Sequence, residues 1–388
     1  MNKNIRLLTW FNFFTDFSLY APVAVIYFSQ VAGSFALGMA VFSLIMVSSA
    51  LFEIPTGIFS DKAGRKKTIV LGALVSVLSS VFFAIGISFV FLAIGSVLAG
   101  LARSFYSGNN DAYLHDLLSS EKQEHLYDEY LGKTSAMFQV ALASSAFLGS
   151  IIAYWSFPLV MWLSVIPQIL CLLLALRMNE PRVHTAESGN VYAHLKEAVR
   201  LFVGNKKIRL LTATNAIGYG FGEAGYQFQA AFYQMVWPLW AIGIAKMFSN
   251  IGAFTSFYFS GRIIKKFNGP KILFIGSIYN RIAGTLAVLF PSPVSPLLMS
   301  STSLTYGVAS VAENGLMQNE FSSHQRATMG SLNSFIGSIF FGIIAIGIGL
   351  FADKLSPAVA LLIVQIGLLP MHFLYWRLYS QDKSKNRQ

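Results

Sequence analysis

One cysteine, Cys171, is present in 388 residues. A lone thiol closes no disulfide within the chain and builds no cysteine-based metal centre. The six histidines stand apart without metal-ligand spacing, so neither a metalloenzyme nor any other cofactor is expected. Charge is scarce, at 12% of residues, and acid is scarcer than base: 17 Asp and Glu against 28 Lys and Arg, a formal +11. No Gly-x-x-x-x-Gly-Lys-Ser/Thr stretch occurs, so there is no phosphate cradle for ATP-driven work. In a soluble protein the basic excess would suggest a nucleic acid partner. Its position along the chain argues otherwise.

What fills the chain is apolar: 55% hydrophobic residues, 34 Phe, and a mean hydropathy of +0.58. A membrane-spanning helix takes roughly 20 apolar residues, so twelve spans use nearly the whole length. Hydropathy and breakers place them at about Ile5–Ser29, Phe35–Phe59, Thr68–Ile87, Phe89–Asp116, Gly132–Trp155 and Pro158–Met178. A second set follows at about Ile208–Gln229, Trp237–Ser260, Pro270–Phe290, Pro296–Asn319, Thr328–Ala352 and Pro357–Tyr379. Lys3 and Arg6 precede a first run too long for a signal-peptide core, which therefore reads as a retained span. The loops after even spans, with the two tails, carry 24 of the 28 Lys and Arg, all but Arg103, Lys246, Arg281 and Lys354. The excess of cytoplasmic base in membrane proteins places both termini in the cytoplasm, in the cell membrane. The +11 then records topology and attraction to membrane lipids, with no nucleic acid.

The expected organisation is an N-terminal six-helix bundle over 1–178, a cytoplasmic linker over 179–207, a C-terminal six-helix bundle over 208–380 and a tail over 381–388. Within the linker Val191, Leu195, Ala198, Val199 and Phe202 recur at helical spacing, as an interfacial helix would. The two halves echo one another. Ile5-Arg6-Leu7-Leu8-Thr9-Trp10-Phe11-Asn12 returns as Ile208-Arg209-Leu210-Leu211-Thr212-Ala213-Thr214-Asn215, six of eight positions identical, 203 residues on. Each copy opens a face at i, i+4 and i+8: Asn12, Asp16 and Tyr20 on span 1, and Asn215, Tyr219 and Glu223 on span 7.

After span 2 the chain reads Gly57-Ile58-Phe59-Ser60-Asp61-Lys62-Ala63-Gly64-Arg65-Lys66-Lys67. This resembles the Gly-x-x-x-Asp-x-x-Gly-Arg-Lys loop of the major facilitator superfamily, between the same two spans. Glu53-Ile54-Pro55-Thr56 before it, Asp111 and Asp116 on span 4, Glu180-Pro181 after span 6 and Arg326-Ala327-Thr328 before span 11 are similar to a bacterial group of that family. A second copy, Gly261-Arg262 to Gly269-Pro270-Lys271, lacks the acid. The Gly-Pro pattern of antiporters is absent from span 5. The resemblance implies an all-α membrane fold with twelve helices in two pseudo-symmetric six-helix bundles, and a secondary transporter working by alternating access. It makes the loop a conformational latch. Gly57 and Gly64 permit tight turning, Asp61 faces the N-terminal end of span 11, Arg65 pairs with Asp116, and Lys66, Glu53, Asp111, Glu313 and Arg326 belong to the gating parts.

Ionisable residues inside spans are expensive and are functional candidates by default. Here they are Asp16, Glu53, Arg103, Asp111, Glu223, Lys246, Arg281 and Glu313. At about 1.5 Å per residue, Asp16 and Arg281 fall near the middle of a core about 30 Å thick. Glu223 and Lys246 fall at similar depths, so a pair between spans 7 and 8 is one reading. Asp16, Glu223, Arg281, Lys246 and Arg103 are the candidates for proton or substrate coupling. Asn12, Tyr20, Asn215, Tyr219, Tyr226 and Gln227 are candidates for the substrate cavity, with Phe11, Phe17, Phe221 and Tyr233 as further aromatic lining. The glycines Gly218, Gly220, Gly222 and Gly225 would loosen span 7 around Glu223. No enzymatic activity is expected. The leading expectation is a monomeric, proton-coupled exporter of a lipophilic or cationic small molecule; an importer or lipid translocator of the same fold, and a non-transporting membrane receptor, are the alternatives.

Overall fold

The computed structural model describes residues 3–120, 122–181, 200, 202–204, 206–318 and 323–385; the interfacial helix expected in the linker lies almost entirely outside these. The described chain is helical throughout, with helix at each of the twelve expected positions and two bundles of six. Nine helical segments are long and apolar enough by themselves to cross a membrane. The other three, at spans 7, 8 and 10 (Lys206–Tyr233, Leu239–Phe267, and Ser295–Ser301 with Ser303–Gln318), carry Glu223, Lys246 and Glu313.

Local chemistry starts the helices where the turns end. Ser34, Ser156 and Ser356 each accept from the backbone N–H three residues on, Leu37, Leu159 and Val359, at 3.2 Å. These caps satisfy helix-terminal donors that have no partner within the helix. Proline, which needs no such partner, stands in the first two positions at Pro158, Pro270, Pro296 and Pro357.

Among the described residues, spans 6, 10 and 12 are interrupted at one residue each, Ser164, Thr302 and Leu368, and two spans expected to be continuous are broken more widely. Span 1 is a helix over Lys3–Asp16, then non-helical chain, a 3-10 turn over Ala21–Val23 and a second helix over Ala24–Ala32. Pro22 is the reason, because it offers no N–H to the preceding turn. Span 4 is Phe89–Tyr106 and Asn109–Ser120, turned at Gly108, whose φ of +68° suits glycine. Span 7, in contrast, is unbroken through its four glycines. Met371, Phe340 and Val364 fill the space beside Gly218, Gly220 and Gly225, so three of the four serve close packing.

The halves meet chiefly through span 2 (Phe35–Ala63) on span 11 (Ser323–Lys354) and span 5 (Tyr127–Trp155) on span 8. Three sets of hydrogen bonds between them lie at mid-span or toward the end away from the basic loops. Ser43 Oγ donates to the Gly342 carbonyl at 2.9 Å, Ser150 Oγ to the Trp240 carbonyl at 3.0 Å, and Asp353 accepts from Phe35 and Ala36. The Phe35 and Phe228 rings add an edge contact at 5.4 Å. Backbone approaches backbone closely here: a side chain at Gly349 would stand 2.5 Å from the Phe35 carbonyl, and one at Gly243 would collide with Ala146 and Ser150.

The broken part of span 1 is held the same way within its own half, where a Cβ at Gly149 would collide with the Leu19 carbonyl. Gly149→Ala is therefore expected to lower the thermal midpoint of the purified protein, by about 1–3 kcal/mol of overpacking. Gly132→Ala, in the same helix with open space around it, should be neutral or stabilising by up to about 1 kcal/mol. Equal midpoints for the two variants would contradict the close approach.

Candidate functional site

Asp16 ends the first helix of span 1. The carbonyl end of a helix is electronegative, so a carboxylate there marks a place that a proton or cation would fill. Arg103 of span 4 lies within Coulombic reach of Asp16, of Glu53 on span 2 and, across the halves, of Tyr219 on span 7. Tyr106 and Cys171 are further electrostatic neighbours of Asp16. Thr15 Oγ1 and the Phe11 carbonyl each sit 3.5 Å from the buried Cys171 Sγ, tying span 6 to this turn.

The break changes one expected face. Asn12 keeps its place and accepts from Asn110 Nδ2 at 3.1 Å. Tyr20 does not continue the face, because the helix stops at Asp16; its ring packs on Phe28 and Phe83 at 5.9 and 5.8 Å. Phe11 and Tyr233, expected as lining, are wholly buried in the core.

In the C-terminal half, Glu223 accepts from Gln227 Nε2 at 2.7 Å, with Tyr219, Tyr226 and Tyr306 in Coulombic reach. No ion pair joins Glu223 to Lys246 among the described residues. The buried Lys246 ammonium instead donates to the Tyr226 carbonyl at 2.7 Å and Gln229 Oε1 at 3.3 Å, and lies 3.6 Å from the centre of the Tyr226 ring. A backbone dipole, an amide and an aromatic face thus replace the carboxylate. Tyr219 reaches the other half, its hydroxyl 3.7 Å from Met46 Sδ.

Glu313 joins a partly buried network. Tyr375 donates to it at 3.3 Å, Asn215 hydrogen-bonds the same carboxylate, and Arg281 lies in Coulombic reach of Tyr375 with its Nη1 unpaired among the described residues. Asp111, which stands 202 residues before Glu313, is exposed in the first turn of its short helix. The better counterpart is Asn110. Asn12–Asn110 and Asn215–Glu313 are the same span 1–4 and span 7–10 contact, each residue displaced by 203.

The loop motif forms a compact cluster at the basic end. Arg65 meets Asp61 at 3.2 Å and Asp116 at 3.6 Å and donates to Ser60 Oγ at 2.9 Å. Ser60 in turn bonds Asn109 at 2.6 Å. Glu180 accepts from the backbone N–H of Arg65 at 2.6 Å and of Lys66 at 3.1 Å, capping span 3 (Arg65–Ile85). Gly64 makes the corner at φ +101°, where a Cβ would press on the Glu180 carboxylate at 2.8 Å. Gly57 takes no part in turning; it lies inside the unbroken helix of span 2. Asp61 engages Arg65 on its own half, and the side chain of Arg326 lies outside the described residues.

Sequence reasoning assigned no role to Glu180, Tyr306, Tyr375, Gln229 or Asp353. Two of these carried a signal: Tyr306 stands 203 residues after Arg103, and Asp353 is the one acid in the base-poor loops.

Replacing Glu180 by Ala removes two caps at once and is expected to lower the thermal midpoint by about 1 kcal/mol or more, with Glu180→Gln falling between. An unchanged melt for Glu180→Ala in detergent would show that the capping contact carries no stability.

A model of the Major Facilitator Superfamily matches residues 7–347. The uncharacterized MFS-type transporter YxaM of Bacillus subtilis (strain 168) is 22% identical over 374 residues, 89% of this chain and 90% of that protein. The uncharacterized MFS-type transporter MJ1317 of Methanocaldococcus jannaschii is 39% identical over 83 residues, 21% of each chain. Among solved structures, a mutant of the nucleoside transporter NupG superimposes with a TM-score of 0.81 at 14% identity, over 97% of this chain and 100% of that one. A bacterial homologue of the human lysosomal transporter Spinster, inward-facing and unoccupied, gives 0.72 at 15% identity, over 97% of each chain.

Proposed function

The chain belongs to the Major Facilitator Superfamily, and on that premise we propose that it is a proton-coupled secondary transporter exporting a small lipophilic or cationic compound by alternating access. The observation that carries the reading is Asp16, set at the break of span 1 within reach of Arg103. Asp16 and Glu53 outnumber the one arginine they share, and Glu223 adds a third carboxylate among tyrosines. A cation needs those carboxylates ionised, whereas a proton neutralises them. Mutual exclusion of the two at one site is antiport. Tyr219, Tyr226 and Tyr306 supply aromatic faces that suit a lipophilic cation.

The basic end is assigned to the cytoplasm by the distribution of Lys and Arg. Among the described residues the hydrogen bonds between the halves lie at mid-span or toward the other end, which supports a site that opens inward, ready to load from the cytoplasm. Arg281, Glu313, Tyr375 and Asn215 form a second polar centre within the C-terminal half, and Lys246, bonded to the Tyr226 carbonyl with Glu223 in Coulombic reach, a third. Both are assigned to coupling the C-terminal half to the state of the cavity.

In proteoliposomes, tetraphenylphosphonium flux is expected to be driven by an imposed proton gradient, and Asp16→Asn, which copies the protonated carboxylate, is expected to lose gradient-driven flux by tenfold or more and to bind the probe more weakly. Flux indifferent to the gradient, or equal in Asp16→Asn, would remove the coupling claim.

A further inference from the structure

Span 2 begins at Phe35, and the first four N–H groups of a helix have no partner inside it. Apart from Ser34's own N–H, which precedes the helix, three remain: Ser34 Oγ accepts from Leu37 at 3.2 Å, and Gly38 already makes the first ordinary helix bond, to the Ser34 carbonyl at 3.0 Å. The remaining two go to the other half of the molecule: Asp353, at the end of span 11, accepts from Phe35 N at 2.7 Å through Oδ1 and from Ala36 N at 2.9 Å through Oδ2. We propose that Asp353 is a latch residue that shuts the face opposite the basic loops, by lending its carboxylate to the N-terminus of span 2.

Three observations carry this. The bonds are charge-assisted and bidentate, and the carboxylate sits on the positive end of a helix dipole. Around them the two backbones touch, with a side chain at Gly349 blocked by Phe35 and Ala36, and the Phe35 ring lies against Phe228. The base-poor loops hold no other acid. Opening this face leaves two N–H groups and one carboxylate for water to satisfy, so the contact favours the closed state by the difference. At the basic end the loop motif offers Asp61 to the opposite end of the same helix pair, as its family resemblance implies. Spans 2 and 11 would then carry one acid at each end of their seam.

The proposal rests on the alternating-access reading, but its test reads conformation without transport. Spin labels on cysteines introduced at Ile87 and Phe290, both strongly exposed at this end of opposite halves, are placed in a Cys171→Ala background. Their separation is then measured by electron–electron resonance in liposomes. Asp353→Ala is expected to lower the ratio of short to long separations about tenfold, with Asp353→Glu in between. Ala36→Pro removes one donor and leaves the charge in place. It copies the start of span 6, where Ser156-Phe157-Pro158 opens a helix with the same serine cap, and it should shift the ratio in the same direction. If Asp353→Ala does not fold, Ala36→Pro decides alone. Distributions that superimpose on those of the parent overturn the latch.

Discussion

Inside a bilayer no water waits to take up an unpaired N–H or a stray charge, so each must find its partner within the protein. That constraint organises this molecule. It explains why buried Lys246 is wrapped by a carbonyl, an amide and a tyrosine ring. The constraint is left unmet at Arg281 Nη1 among the described residues. At the two faces, where water competes, carboxylates from distant segments, Glu180 and Asp353, still close helix starts.

The two halves share a skeleton and differ in chemistry. The span 1–4 contact of Asn12 with Asn110 returns as Asn215 with Glu313, and the positions of Asp16 and Arg103 return as Tyr219 and Tyr306, all at an offset of 203. One half thus puts an acid and a guanidinium in the middle of the membrane where the other puts two phenols. The C-terminal half regains an acid one turn on, at Glu223. The corresponding positions of the two halves therefore differ in polarity, charged in one and aromatic in the other.

Much of this was legible in the sequence. Span number, the two bundles and the family follow from hydropathy, the eight-residue repeat and the loop at Gly57–Lys67, because each is a local pattern. The Arg65–Asp116 contact was also within reach, since both residues sit at the same membrane depth. The break after Asp16 was readable in Pro22 but was outweighed by the long apolar run around it. Lys246 was harder: depth alone put it beside Glu223, and only the path of the Tyr226 backbone decides that the ammonium goes elsewhere. Asp353 was least legible of all, because its partners are backbone N–H groups that leave no mark in composition.

At two places the seam between the halves brings main chain close to main chain, at Gly243 against Ala146 and at Gly349 against Phe35 and Ala36. Surfaces of that kind have almost no side-chain chemistry to mismatch, so what decides whether they mate is volume. A single methyl group at either glycine acts as a doorstop: each half keeps its own fold, and only the shut position is lost. The molecule's freedom to alternate therefore depends on two places where nothing is allowed to grow.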